Sequence, residues 1–83
     1  MALVRNVEEV SRERTTVHEP VECSCAIFDA NGQRYLQLDT FGSPTRKLKN
    51  KVSQALQFDL AGARRLRALL DKAFPELATD RTR

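Results

Sequence analysis

The chain has 83 residues, of which 41% are hydrophobic and 30% charged, and its net charge is +3. This length allows one globular domain with a small core, which excludes a two-domain architecture and favours an oligomer. No stretch has the apolar length of a signal peptide or a membrane span, so the composition predicts a soluble cytoplasmic protein.

The N-terminal region is the least regular part of the sequence. We predict an arm over residues 1–12 that leads into a strand near Glu13–His18, because the stretch RERTTVHE is rich in β-branched residues. Pro20 cannot donate a hydrogen bond to a sheet and therefore marks a break or an edge.

Two alternating segments joined by a tight turn predict a β-hairpin. The strands cover Val21–Asp29 and Gln33–Phe41, and the Asn31-Gly32 pair tolerates the positive φ angles of a two-residue turn. One face of this hairpin is apolar and the other is mixed. From the second strand, the mixed face carries Tyr35, Gln37, Asp39 and Phe41.

A basic loop follows the hairpin and precedes a third alternating strand, Val52–Phe58. The stretch TFGSPTRKLKNKV contains no acidic residue. Two interpretations are open. The charges neutralise the phosphates of a nucleic acid, or the loop is a solvated connection whose charges suppress aggregation of the protein at a sheet edge. The basic residues are Arg46, Lys47, Lys49 and Lys51.

The C-terminal part is helical. Asp59 is a natural N-cap, apolar residues recur at helical spacing over residues 60–74, and Pro75 ends the helix. Gly62 costs up to about 1 kcal/mol against Ala in a helix, so it indicates either a close packing contact or a frayed first turn. The polar tail, residues 78–83, is predicted to be disordered.

The order of these elements predicts an α+β fold, with an antiparallel sheet of about four strands followed by one C-terminal amphipathic helix. This domain covers residues 13–77. The apolar stripe of the helix exceeds what a short sheet would cover, which predicts a symmetric homodimer. Its interface residues are Leu66, Leu69, Leu70 and Phe74.

Neither a metal site nor a catalytic site is predicted. His18, Cys23 and Cys25 are three potential ligands, but a structural zinc site needs four. A C-x-C pair on a strand is also too widely spaced for the usual intrachain disulfide. His18 is the single histidine and has no arranged nucleophile, so we expect a non-catalytic protein without a cofactor.

Two stretches of the sequence resemble known proteins. RYLQLDTFGS and KVSQALQFD, followed by a helix, resemble a group of small uncharacterised bacterial proteins of the form YLQLDTYGS…KVSQSIQLD. The element order over residues 22–74 resembles the single-stranded-DNA-binding domain of the transcriptional coactivator positive cofactor four and its bacterial relatives. That second resemblance implies a curved four-stranded antiparallel sheet and a homodimer formed largely through the helices.

The same resemblance implies single-stranded nucleic acid held on basic and aromatic residues of the sheet. Tyr35 and Phe41 match positions where the family has apolar and aromatic residues, and Lys49 and Lys51 match its basic run. Asp39 and Gly42 depart from the pattern, because the family has a basic and an aromatic residue there.

We therefore predict a small protein that binds single-stranded DNA or RNA with little sequence preference. The alternative is a protein-interaction module or accessory subunit that acts through its helix face or sheet edge. Exposed aromatic residues would favour binding of nucleic acid, whereas an apolar patch on the helix or on an open strand would favour the alternative. The predicted nucleic-acid-binding residues are Arg34, Tyr35, Gln37, Phe41, Arg46, Lys47, Lys49 and Lys51.

Overall fold

The computed structural model describes residues 1–42 and 52–80. Four strands form one sheet in the order β1-β4-β3-β2, and two helices follow them. The predicted α+β fold with a C-terminal helix is therefore confirmed. The elements are β1 (Ala2–Val4), β2 (Cys23–Ala30), β3 (Gln33–Phe41), β4 (Val52–Phe58), α1 (Leu60–Ala73) and α2 (Glu76–Thr79).

The sheet is mixed, which corrects the prediction of a purely antiparallel one. β3 runs antiparallel to both β2 and β4, but β1 runs parallel to β4, with Ala2 beside Leu56 and Val4 beside Phe58. The strand predicted near Glu13–His18 does not form, and those residues are exposed. Their β-branched side chains favour an extended backbone, but none of the four strands pairs with them.

The hairpin follows its prediction closely. Asn31 and Gly32 have φ angles of 53° and 77°, as a two-residue turn between right-twisted strands requires. The turn sets the register, in which Ile27 lies opposite Leu36. Only the bounds of the first strand differ from the prediction. It begins at Cys23 instead of Val21 and ends at Ala30 instead of Asp29.

The strand register divides the sheet into two faces. Helix α1 lies beside Phe58, which is one of two buried hydrophobic residues in the described part of the chain; the other is Ala55. We call the side of Phe58 the apolar face, which carries Cys23, Cys25, Ile27, Leu36, Leu38, Leu56 and Phe58. The opposite side is the open face, which carries Ser24, Ala26, Phe28, Tyr35, Gln37, Asp39, Ala55 and Gln57.

The start of α1 rests on the end of β1. Asp59 caps the helix by accepting a hydrogen bond of 2.8 Å from the backbone N–H of Gly62. A Cβ atom on Gly62 would lie 2.1 Å from the carbonyl oxygen of Val4. Of the two interpretations of Gly62, the close packing contact is therefore correct.

The N-terminal segment after β1 follows the helix. Arg65 donates a hydrogen bond of 2.9 Å from Nε to the carbonyl oxygen of Val7, and Lys72 Nζ lies 2.7 Å from Glu9 Oε1. The predicted arm thus contributes both an edge strand and contacts with α1. At the other end, α2 includes residues 78–79 of the predicted tail, and residues 81–83 lie outside the described residues.

Candidate nucleic-acid interface

An aromatic pair lies at the turn end of the open face. Phe28 and Tyr35 are directly opposite each other on β2 and β3, and their rings stack with centroids 5.6 Å apart at 29°. Both side chains are half-buried, and the Tyr35 hydroxyl donates a hydrogen bond of 3.1 Å to Gln33 Oε1. Such a pair presents aromatic surface on which a nucleic-acid base can stack.

A row of polar side chains crosses the middle of the open face. Gln57 Nε2 donates to Gln37 Oε1 at 2.9 Å, and Gln37 Nε2 donates to Asp39 Oδ1 at 2.9 Å. The two amides can both donate and accept hydrogen bonds. Asp39 contributes a negative charge, and its bond to Gln37 satisfies one of its acceptor sites.

The predicted site residues of β3 divide between the two faces. Tyr35, Gln37 and Phe41 lie on the open side, and half-buried Phe41 is in register with Val52 at the end of the strand. Arg34 lies on the other side, where its Nε donates a hydrogen bond of 3.0 Å to Asp29 Oδ1. This bond and the charge of Asp29 raise the pKa of Arg34 above its usual value.

The structure adds Phe28, which is not among the predicted site residues. The signal was present in the hairpin turn. Once Ala30 and Gln33 are recognised as the pair that closes a two-residue turn, counting back along both strands places Phe28 opposite Tyr35. Alternation along the first strand places Phe28 at the end of the mixed face, but it does not identify Tyr35 as the opposite residue.

The residues predicted to bind phosphate lie outside the described residues. These are the loop residues Arg46, Lys47, Lys49 and Lys51. Among the residues that β2, β3 and β4 contribute to the open face, none is Lys or Arg. Positive charge for this face would therefore have to come from outside these strands.

A second surface feature is an apolar cleft of about 730 Å³ between α1 and the sheet. Its lining includes Ile27, Leu36, Phe58 and Leu60, and Arg64 also contributes. Ile27 is 67% exposed and Leu60 64% exposed, so the helix covers only part of the apolar face.

The predicted dimer residues of the helix are not equivalent. Leu66 and Leu69 are half-buried within the chain. Leu70 is 40% exposed and Phe74 is 55% exposed, so these two contribute apolar surface near the C-terminal end of α1.

The potential metal ligands remain apart. Cys23 and Cys25 are exposed free thiols on β2, whereas His18 lies in the exposed segment that precedes this strand. Over residues 1–42 and 52–80, no three His, Cys, Asp or Glu side chains form a group that could hold a metal ion. Neither helix in the same ranges is long and apolar enough to cross a membrane.

Comparison with known proteins finds no matching family model, no matching curated protein and no matching solved structure.

Proposed function

We propose that the open face binds single-stranded nucleic acid without catalysing a reaction on it. The observation that carries this proposal is the stacked pair of Phe28 and Tyr35 on the side of the sheet opposite α1. Every base has a π-face, and stacking on an aromatic side chain contributes about 1–3 kcal/mol per base. A stacked pair of half-buried aromatic rings therefore suits a ligand whose sequence varies.

The neighbouring groups support the same ligand. Gln37 and Gln57 offer amide groups that can donate to or accept from any base edge or sugar hydroxyl, which favours little sequence preference. The basic loop begins after Gly42 and ends before Val52, and Val52 is in register with Phe41. Both ends of the loop thus lie at the Phe41 end of β3, and Tyr35 lies towards the other end of the same strand.

The test is fluorescence anisotropy of a labelled single-stranded oligonucleotide titrated with the protein, with a duplex of the same sequence as the control. We expect binding to the single strand in preference to the duplex. Tyr35→Ala should weaken it by about tenfold or more, because one stacking contact is lost. Tyr35→Phe keeps the ring and should bind like the unaltered protein, and no binding at low salt would refute the proposal.

The loop is tested by the salt dependence of the same titration. Replacing Lys47, Lys49 and Lys51 together by Ala should lower the steepness of log K against log salt by about two, since each phosphate contact contributes about 0.7 for a single strand. Lys72→Ala is the matched control, because Lys72 lies on α1 and pairs with Glu9. An unchanged slope in the triple variant would remove the loop from the interface.

A second candidate is a protein-interaction module, and the exposed apolar residues of the helix favour it. Leu60, Leu70 and Phe74 are each at least 40% exposed. Under this alternative, a protein chain covers α1 and the open face has no ligand. It predicts no anisotropy change at low salt, so the oligonucleotide titration distinguishes the two candidates.

A further inference from the structure

β2 is an edge strand whose outer side has no neighbouring strand among the described residues. On its inner side, the backbone N–H of Phe41 donates to the carbonyl oxygen of Glu22 at 3.2 Å, which marks these two residues as a hydrogen-bonded pair. Because such pairs alternate along an antiparallel ladder, even-numbered residues of β2 bond to β3. The outward backbone groups therefore belong to Cys23, Cys25, Ile27 and Asp29.

This edge lacks the sequence features, such as Lys, Pro or a β-bulge, that normally prevent an edge strand from pairing with another chain. β2 has eight residues, CSCAIFDA, with no Lys, no Pro and no register shift against β3. The side chains that accompany its outward groups are apolar at three of four positions, and Ile27 is 67% exposed. A long, regular and apolar edge is a template for another strand. The opposite edge, β1, has only three residues.

The chain also exposes more surface than a folded monomer of its size. Its accessible surface is 7453 Å², against about 5,000 Å² for a monomer of 9.4 kDa. Its radius of gyration is 15.0 Å, against about 12 Å for a compact chain of this length. The exposed segment before β2 accounts for part of the surplus.

We propose that two copies of this chain form a dimer by antiparallel pairing of their β2 strands about a two-fold axis at Ala26. A two-fold axis through an antiparallel pair is perpendicular to the sheet, so the apolar faces of both copies lie on the same side. Pairing about Ala26 uses the strand from Glu22 to Ala30 and satisfies the outward groups of all four edge residues. It also places Cys25 opposite the partner's Ile27.

A second copy fits this edge better than an unrelated strand because the pattern is self-complementary. The axis generates the contact between Cys25 and Ile27 twice, and each contact joins a small apolar side chain to a large exposed one. The result is a continuous eight-stranded sheet with both open faces on one side. The inference does not depend on nucleic-acid binding, since it rests on the edge, its side chains and the surplus surface.

Disulfide trapping tests the register. In a background with Cys23→Ser and Cys25→Ser, Ala26→Cys should form a covalent dimer under mild oxidation. Opposed residues in a non-hydrogen-bonded pair have Cα atoms about 4.5 Å apart, which is within disulfide range. Ser24→Cys in the same background is the matched control, because its counterpart would lie four residues along the ladder, about 14 Å away. Equal trapping of both variants, or of neither, would overturn the proposed pairing.

Light scattering of the protein tests the dimer itself. The unaltered chain should have twice the monomer mass at micromolar concentration, and Cys25→Pro should be a monomer, since it removes an outward N–H and leaves the bonds to β3 intact. Cys25→Val keeps that N–H and should remain dimeric. Circular dichroism checks that Cys25→Pro is folded. If it is not, Ile27→Lys replaces it as the test variant, because a charge at the edge should also give a monomer. A monomeric unaltered chain, or a dimeric Ile27→Lys variant, would overturn the proposal.

Discussion

Gly62 shows how a residue that is poor for a helix can be required by packing. Helix propensity alone predicts that Gly62→Ala stabilises the protein by about 1 kcal/mol. The structure reverses the sign, because the new Cβ would lie 2.1 Å from the carbonyl oxygen of Val4, and that atom belongs to backbone. We expect a net loss of about 1–2 kcal/mol in the free energy of unfolding, measured by urea denaturation.

The control for this prediction is Ala68→Gly, which changes an exposed position of the same helix. It should cost about 1 kcal/mol through propensity alone. If Gly62→Ala raised the urea midpoint, the close contact between α1 and β1 would be contradicted.

A second residue-scale prediction concerns the ion pair between the N-terminal segment and α1. The hydrogen bond and charge of Lys72, with a smaller effect of Arg65, lower the pKa of Glu9 below its usual value. A lowered pKa in the folded state means that the stabilisation is present above the unfolded pKa and is lost as pH falls through the folded value. Lys72→Ala should raise the pKa of Glu9 towards its usual value in an NMR titration of its carboxyl carbon. Arg65→Ala should raise it less, and an unchanged pKa in Lys72→Ala would contradict the pair.

At the scale of elements, α1 depends on its cap. Asp59 accepts the N–H of Gly62 and also lies 3.7 Å from Arg5 Nε. Asp59→Ala removes this acceptor and should lower the free energy of unfolding by about 0.5–2 kcal/mol. Asp59→Asn keeps an oxygen for the cap and should lose much less. Equal losses in the two variants, measured by urea denaturation, would mean that the charge of Asp59 matters more than its cap.

The elements differ in how much of them the sequence could reveal. The bounds of β3 and β4 were predicted residue for residue, because alternation is a local signal and the Asn31-Gly32 turn fixes the hairpin register. β1 could not be found in this way. It has only three residues, and its pairing partner β4 begins about fifty residues later in the chain. The segment Glu13–His18 has the stronger local preference for a strand but no partner.

The candidate interface also combines features that local sequence reveals with features that depend on the pairing of distant residues. Alternation correctly grouped Tyr35 with Gln37, but it also placed Arg34 on the opposite side of β3, so the predicted site combined residues from both faces. The stack with Phe28 required the register of two strands to be counted from the turn. The amide bond from Gln57 to Gln37 joins residues twenty positions apart and depends on tertiary pairing.

At the scale of the whole molecule, the described part of the chain buries few hydrophobic side chains. Ala55 and Phe58 are its buried hydrophobic residues, while Ile27, Leu60 and Phe74 are each more than half exposed. If the folded state is the dimer proposed above, unfolding separates two chains and its apparent free energy depends on protein concentration. A monomer that folded alone would show no such dependence.

We therefore expect the urea midpoint to rise with protein concentration. Each tenfold increase favours the folded dimer by about 1.4 kcal/mol, which corresponds to a rise of roughly 0.7 M urea for a denaturant slope of about 2 kcal/mol per M. The measurement is circular dichroism at two concentrations a hundredfold apart. The Ile27→Lys variant should have a lower midpoint that does not move with concentration, because its edge cannot pair. A constant midpoint for the unaltered chain would show that its few buried side chains are sufficient for an isolated fold.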